Sequence, residues 1–321
     1  MVRYTFPDGA HYRVETSGIE SADIFSKTAK AFKQAKIPWH KAICCVRGAG
    51  VPRKNSMMNN EVLCGFYKEQ ELREFAKIGT DYGIEVVMTP FTRPTYQNTA
   101  IQAKSPQGII SGMSWRGQDA TQDYVDDIMY LYGLGFRGFL IWRKGMLNSL
   151  MKCAYMEYFP KDIVLKLSVF DGNANPADAD LVLSLMKNFY SSDDSPVFGV
   201  TMNPITDLTV KQIGEIRYCF DDFPLDIHSR IFESWGGNNR IEEVYEIVKV
   251  ASPVYFKDEP GPGLEMYAPN FPQKELLEYK LSAVDAAKRI IENINRGNEK
   301  YGTNFKISDW TPADLKIPIV K

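Results

Sequence analysis

From about residue 40 onward, apolar runs of strand length alternate with stretches of helical periodicity, and this alternation leaves few folds open. The runs are AICCV (42–46), IEVVMTP (84–90), GIISGMS (108–114), FRGFLIW (136–142), IVLKLSV (163–169), VFGVTMN (197–203), LDIHSR (225–230) and PVYFKD (253–258). Between them lie EQELREFAKIGTDYG, ATQDYVDDIMYLYGLG, MLNSLMKCAYMEYF, ADADLVLSLMKNFY, LTVKQIGEIRYCF and RIEEVYEIVKVA, with apolar residues three and four apart. A last helical stretch, KELLEYKLSAVDAAKRIIENINRG, ends on a glycine stop. Strands that feed helices and return as parallel neighbours are covered on both faces, so they read as continuous apolar runs. Eight such units predict a (β/α)8 TIM barrel, with an open doubly wound sheet as the competing arrangement.

The ends of the chain extend this plan. VRYTF and HYRVET flank the turn PDGA and predict an N-terminal β-hairpin that, with the helix ADIFSKTAKAFKQAKI, plugs the bottom of the barrel. One domain follows: a cap over residues 1–38, a barrel over 39–297 and a C-terminal extension over 298–321, whose Trp310 needs cover. A length of 321 residues is ordinary for a barrel with extensions.

Composition narrows the function classes. Hydrophobic residues make up 44% and charged residues 24%, as in a globular protein with a large core. A net charge of -2, from 38 basic and 40 acidic residues, offers no footprint for nucleic acid or an anionic membrane. No segment reaches the roughly 20 apolar residues of a membrane span, and the first residues lack a secretory core, so the expected location is cytoplasmic. Cys44, Cys45, Cys64, Cys153 and Cys219 show no CxxC spacing and predict reduced thiols, not a disulfide framework or a metal cluster.

In a barrel the chemistry sits at the C-terminal ends of the strands, so position along each run sorts the polar residues. Arg47, Arg93, Arg116 and Arg143 follow the first four runs and would clamp a small anionic substrate, because a guanidinium matches carboxylate or phosphate. Asn203 ends the sixth run and joins the substrate-binding set, as does Glu259 beyond the eighth. Alternation puts Lys166 and Ser168 on one face, Asp226, His228 and Arg230 on one face, and Tyr255, Lys257 and Glu259 on one face. A lysine inside a barrel is costly unless paired or used, since burial lowers its pKa towards that of a base or Schiff-base amine. Lys166 and Lys257 are therefore catalytic candidates, with a structural ion pair as the competing reading of each.

His228 is placed within a core strand near the expected mouth and is a candidate base. With Glu233 and Glu259 it would also make a one-histidine, two-carboxylate site for a divalent metal, although the sequence requires no cofactor. His11 and His40 precede the runs and read as structural. The long loop RGAGVPRKNSMMNNEVLCGFYK suits a lid, and WGGNN at 235–239 suits a phosphate loop or a plain turn. GxG at 48–50 lacks the third glycine of a dinucleotide fingerprint.

YTFPDGAHYRVET, IVLKLSVFDGNANPADADL, NPITDLTVKQIGEIR and LDIHSRIFESWGG together resemble the barrel domain of the U32 peptidase family. The resemblance implies a TIM-like barrel and marks Glu233 as a candidate catalytic residue. It departs from the family pattern in one respect that bears on function: Glu233, Trp235 and Gly237 echo the first half of the signature, but no cysteine follows. Cluster-dependent hydroxylation is therefore not carried over.

The expected function is that of an enzyme acting on a small anionic metabolite by acid–base or lysine-assisted chemistry, of lyase or isomerase type. A U32-like hydrolase, with or without metal, and a ligand-binding barrel without catalysis are the alternatives. Homo-oligomerisation stays open.

Overall fold

The structure is a computed structural model; it describes residues 6, 8–17, 21–44, 68–88, 118–141, 149, 159–160, 162–167, 197–202, 209–219, 225–228, 241–258 and 272–309. In chain order the elements are β1 (Tyr12–Ser17), α1 (Ala22–Gln34), β2 (Lys41–Cys44), α2 (Glu69–Tyr82), β3 (Glu85–Met88), α3 (Gln118–Gly133) and β4 (Gly138–Ile141). There follow β5 (Val164–Leu167), β6 (Val197–Met202), α4 (Val210–Cys219), β7 (Leu225–His228), α5 (Ile241–Ala251), β8 (Val254–Asp258) and α6 (Gln273–Tyr301). The eight strands pair in sequence order, all parallel, and β1 pairs with β8 to close a barrel. The expected helices MLNSLMKCAYMEYF and ADADLVLSLMKNFY lie outside the described residues, Ser149 and Phe159 excepted.

Seven of the expected runs are wall strands, but the eighth is a different segment. GIISGMS lies outside the described residues, and β3 pairs directly with β4. Its place in the count goes to β1, the segment expected to form the second arm of a hairpin plug. β1 is bonded on both sides, to β2 and β8, so no edge remains for an antiparallel arm. The barrel accordingly starts at Tyr12 and not near residue 39.

Strand alternation sorts the side chains into two cores. Tyr12, Val14, Ala42, Val86, Met88, Phe139, Ile141, Leu165, Leu225, Ile227, Val254 and Phe256 face outward and join the helices in one apolar shell. Val87 and Leu140 point the other way and form a separate apolar pair inside the barrel. The shell is aromatic beneath α1, where Trp39 stacks on Phe32 at 5.0 Å and meets Phe25 edge-on at 5.4 Å. Ser21 caps α1, its hydroxyl accepting from the Ile24 N–H at 3.2 Å.

The final helix passes the glycine that was expected to stop it. α6 continues through Gly297 to Tyr301, and the left-handed residue that ends it is Gly302, with φ 66°. Gly297 instead marks a close helix contact, for a Cβ there would fall 2.0 Å from the Tyr245 ring of α5. Beyond α6 the chain crosses the N-terminal end of β1: Ile307 bridges Tyr12, and the Ser308 N–H donates to the Tyr12 carbonyl at 3.0 Å. The rest of the extension, Trp310 included, lies outside the described residues.

Candidate active site

The inside of a parallel eight-stranded barrel is normally filled by layers of branched aliphatic side chains, four to a layer from alternate strands. Here the described interior side chains include six charged groups. Arg13 and Glu15 on β1, Lys41 on β2, Glu85 on β3, Lys166 on β5 and Asp226 on β7 are all buried. Among the described residues three cations face three carboxylates, so this buried set carries no formal excess charge.

The strand register explains how these groups meet. In an eight-stranded barrel the level position shifts by about one residue per strand. Applied to the observed pairings, this shift puts Glu15, Val87, Lys166 and Asp226 at one height. Lys41, Gly138, Gly199 and Tyr255 occupy the positions just below, and Arg13 and Glu85 lie lower again. Glycine at 138 is required by this filling, since a Cβ would stand 2.8 Å from Val87 Cγ2 and 3.3 Å from Glu85 Oε1.

Distances bear the layering out. Lys166 Nζ donates to Asp226 Oδ2 at 2.5 Å. Lys41 Nζ lies 3.5 Å from Glu15, 3.7 Å from Glu85 and 3.7 Å from Asp226 Oδ1, Coulombic contacts longer than an ordinary N–H···O bond. The same ammonium sits 3.5 Å from the centre of the Tyr255 ring, and Lys166 is 5.0 Å from it. Below, Arg13 donates to the Tyr255 hydroxyl at 3.2 Å and lies 3.9 Å over the Phe6 ring. Phe6 also meets Tyr255 edge-on at 5.4 Å, so this residue ahead of β1 packs against the lower end of the barrel interior.

Burial and neighbouring charges act on both lysines, with opposite net results. Desolvation pushes the Lys166 amine below the usual lysine range, and the Asp226 carboxylate only partly opposes it. For Lys41 desolvation acts the same way, but Asp226, Glu85, Tyr255 and Glu15 outweigh it and hold the group well above that range. The Lys166–Asp226 contact is thus the ion pair weighed against a catalytic role, now combined with an amine whose proton is loosened.

The other expected site residues divide by where they fall. The backbone register sets His228 beside Lys257 at the C-terminal ends of β7 and β8, one level or more above Lys166. Arg47, Arg93, Arg116, Arg143, Asn203, Glu233 and Glu259 lie outside the described residues, as do WGGNN and the lid loop up to Tyr67. Among the described residues no group of three His, Cys, Asp or Glu side chains could hold a metal. Nor is any described helix long and apolar enough to cross a membrane.

Arg13, Glu15, Lys41 and Glu85 were not among the expected site residues. Parity groups Asp226 with His228 and Tyr255 with Lys257, without a role for either. The signal was available in YRVETS, where arginine and glutamate alternate with tyrosine and valine. Such alternation reads as one wet face but equally fits one charged interior face.

His40 has the structural role expected of it. Its Nδ1 accepts from the Val14 N–H at 3.0 Å, so Nε2 carries the proton and donates to the Ser308 carbonyl at 2.9 Å. Burial, reinforced by the Arg13 charge, brings its pKa down to about 3.

No family model matches the chain, and no curated protein does. Among solved structures it is similar to phospho-2-dehydro-3-deoxyheptonate aldolase (DAHP synthase) from Thermotoga maritima, at 13% identity and TM-score 0.50, covering 92% of this chain and 72% of that one. It is also similar to orotidine 5'-monophosphate decarboxylase from Sulfolobus solfataricus, at 11% identity and TM-score 0.42, covering 88% and 99%. A D-psicose 3-epimerase aligns at 10% identity and TM-score 0.46, covering 87% and 99%. At such identities the first likeness shows the fold alone, and nothing rests on the other two.

Proposed function

We propose that this chain is a (β/α)8-barrel enzyme that acts on a small anionic metabolite, with Lys166 supplying the amine for proton transfer or for addition to a carbonyl. The observation that supports this reading is the placement of Lys166. It stands at mid-barrel, fully buried, 2.5 Å from one oxygen of a carboxylate that a second lysine also engages. Taking charges out of water costs several kcal/mol per ion, and an apolar layer of equal volume would fill a barrel with less penalty. Perturbed amines in such settings cluster at functional sites.

The remaining parts of the reading are positional. His228 and Lys257 adjoin one another in register at the ends of β7 and β8, where a substrate entering from the C-terminal face would arrive. Arg47 and Arg143 follow β2 and β4 in the chain and supply the guanidinium groups for an anion.

A panel of phosphorylated and carboxylated carbonyl metabolites, read by thermal shift and then by turnover, tests the proposal. At least one member should stabilise the protein and be converted. Lys166→Met should lower turnover by about 10³-fold or more while the circular dichroism spectrum is kept. Borohydride added with the accepted substrate decides between the two chemistries, since only an imine leaves a reduced adduct on the Lys166 peptide. A converted substrate whose turnover is untouched in Lys166→Met removes this residue from the mechanism.

A further inference from the structure

Two lysines reach Asp226 from opposite parts of the barrel wall, Lys166 at Oδ2 and Lys41 at Oδ1. They share it unequally. Lys41 has Glu15 at 3.5 Å and Glu85 at 3.7 Å besides, and its ammonium rests against the Tyr255 ring. Among the described residues the carboxylate within 4 Å of Lys166 is that of Asp226. Loss of the proton from Lys41 would withdraw a positive charge from three carboxylates, Glu15, Glu85 and Asp226. Loss of it from Lys166 would leave Asp226 still faced by Lys41.

We propose that Lys41 is a positioning residue for Lys166: its fixed charge holds Asp226 in place and balances that carboxylate whenever Lys166 gives up its proton. The inference rests on the reading of Lys166 as the working amine. In a proton-transfer cycle the Lys166 ammonium passes one proton to substrate, becomes the neutral amine, and recovers a proton before release. In a carbonyl cycle the neutral amine forms a C–N bond to the carbonyl carbon. The oxygen takes up protons and leaves as water, and hydrolysis of the imine restores both partners. In either cycle Asp226 stays ionised, with Lys41 still facing it at 3.7 Å.

The groups around Lys166 support this division. Asp226 from β7, Lys41 from β2, Glu15 from β1 and Glu85 from β3 all act on it electrostatically, and Tyr255 from β8 presents its ring. After burial and Asp226, the Lys41 charge is the strongest influence on Lys166, and it lowers the proton affinity of that amine. An amine placed beside a second cation in a dry pocket is a known way to make lysine reactive near neutral pH.

The test uses the intact chain with ¹³C at the lysine ε-carbons and follows the Lys166 resonance, assigned by its absence in Lys166→Met, against pH. In the native protein its midpoint should lie at least about one unit below the ordinary lysine value of about 10.4. Lys41→Met should raise that midpoint by about one unit, a tenfold change in proton affinity, and Lys41→Arg should leave it near the native value. If Lys41→Met does not fold, the charge-balanced pair Lys41→Met with Glu85→Gln takes its place. The midpoint should still rise, because Lys41 acts on Lys166 more strongly than Glu85 does. A midpoint that stays put without the Lys41 charge overturns the proposal. Because the titration needs no substrate, a Lys166 that is tuned by Lys41 yet dispensable for turnover would instead overturn the function proposed above.

Discussion

Lys166 and Asp226, on β5 and β7, meet at 2.5 Å with neither side chain exposed to solvent. Removing one partner of such a pair strands the other charge, whereas replacing both by apolar groups removes the desolvation cost as well. Asp226→Asn should therefore destabilise the fold by about 3–5 kcal/mol, and Lys166→Met with Asp226→Leu should cost less than that single change. Urea unfolding of the single and double variants measures the coupling. Losses that simply add would show that the two groups do not depend on one another.

Much of the architecture was legible because its signal is local. Seven wall strands and the helices α2, α3, α4 and α5 follow from apolar periodicity, which reports burial against the outer shell. What misled was the inner face. β1 alternates Tyr12, Arg13, Val14 and Glu15, and a half-polar strand reads as a hairpin arm unless the interior it faces is itself charged. Lys41 and Glu85 open their strands, so they stood at the margins of apolar runs and drew no notice. Their partners lie far away in sequence, and only barrel closure brings Lys41 to Asp226. Lys166 was found because it interrupts an apolar run, which is where a buried charge is conspicuous in a sequence.

His40 makes stability depend on pH in a definite direction. Its pKa is about 3 in the fold and 6.5 when free, so the unfolded chain binds the extra proton between these values. The stabilisation is complete above pH 6.5 and is lost as pH falls towards 3, amounting to about 2 kcal/mol by pH 5. His40→Asn should flatten the fall in unfolding midpoint between pH 7 and 5 relative to the native chain. Parallel midpoint curves for the two proteins would show that His40 does not contribute to the acid sensitivity.

Arg217 ties α4 to the end of α5. Its Nε donates to the Ala251 carbonyl at 2.7 Å and a terminal nitrogen donates to the Pro253 carbonyl at 2.5 Å, where the helix would otherwise leave acceptors unsatisfied. The charge also complements the helix C-terminus. Arg217→Lys keeps the charge but loses the fork, and should cost about 1–3 kcal/mol in chemical unfolding. Amide exchange should quicken at the last turn of α5 in that variant. Unchanged exchange there would argue against the carbonyl contacts as the source of any loss.

Gly297 offers a test in which the usual sign of a helix substitution reverses. At an open position within α6, glycine to alanine would stabilise by about 1 kcal/mol. A Cβ on Gly297 would fall 2.0, 2.3 and 2.5 Å from atoms of the Tyr245 ring. That ring has little freedom to move, being stacked on Tyr301 at 5.4 Å with its hydroxyl 2.7 Å from Thr303 Oγ1. Gly297→Ala should thus destabilise by about 1–3 kcal/mol, the cost of overpacking. In a Tyr245→Ala background the clash is gone, and the same change should stabilise relative to Tyr245→Ala alone. Thermal or urea unfolding of the four proteins gives the cycle. A Gly297→Ala protein as stable as the native one would mean that α5 and α6 are not packed at this point.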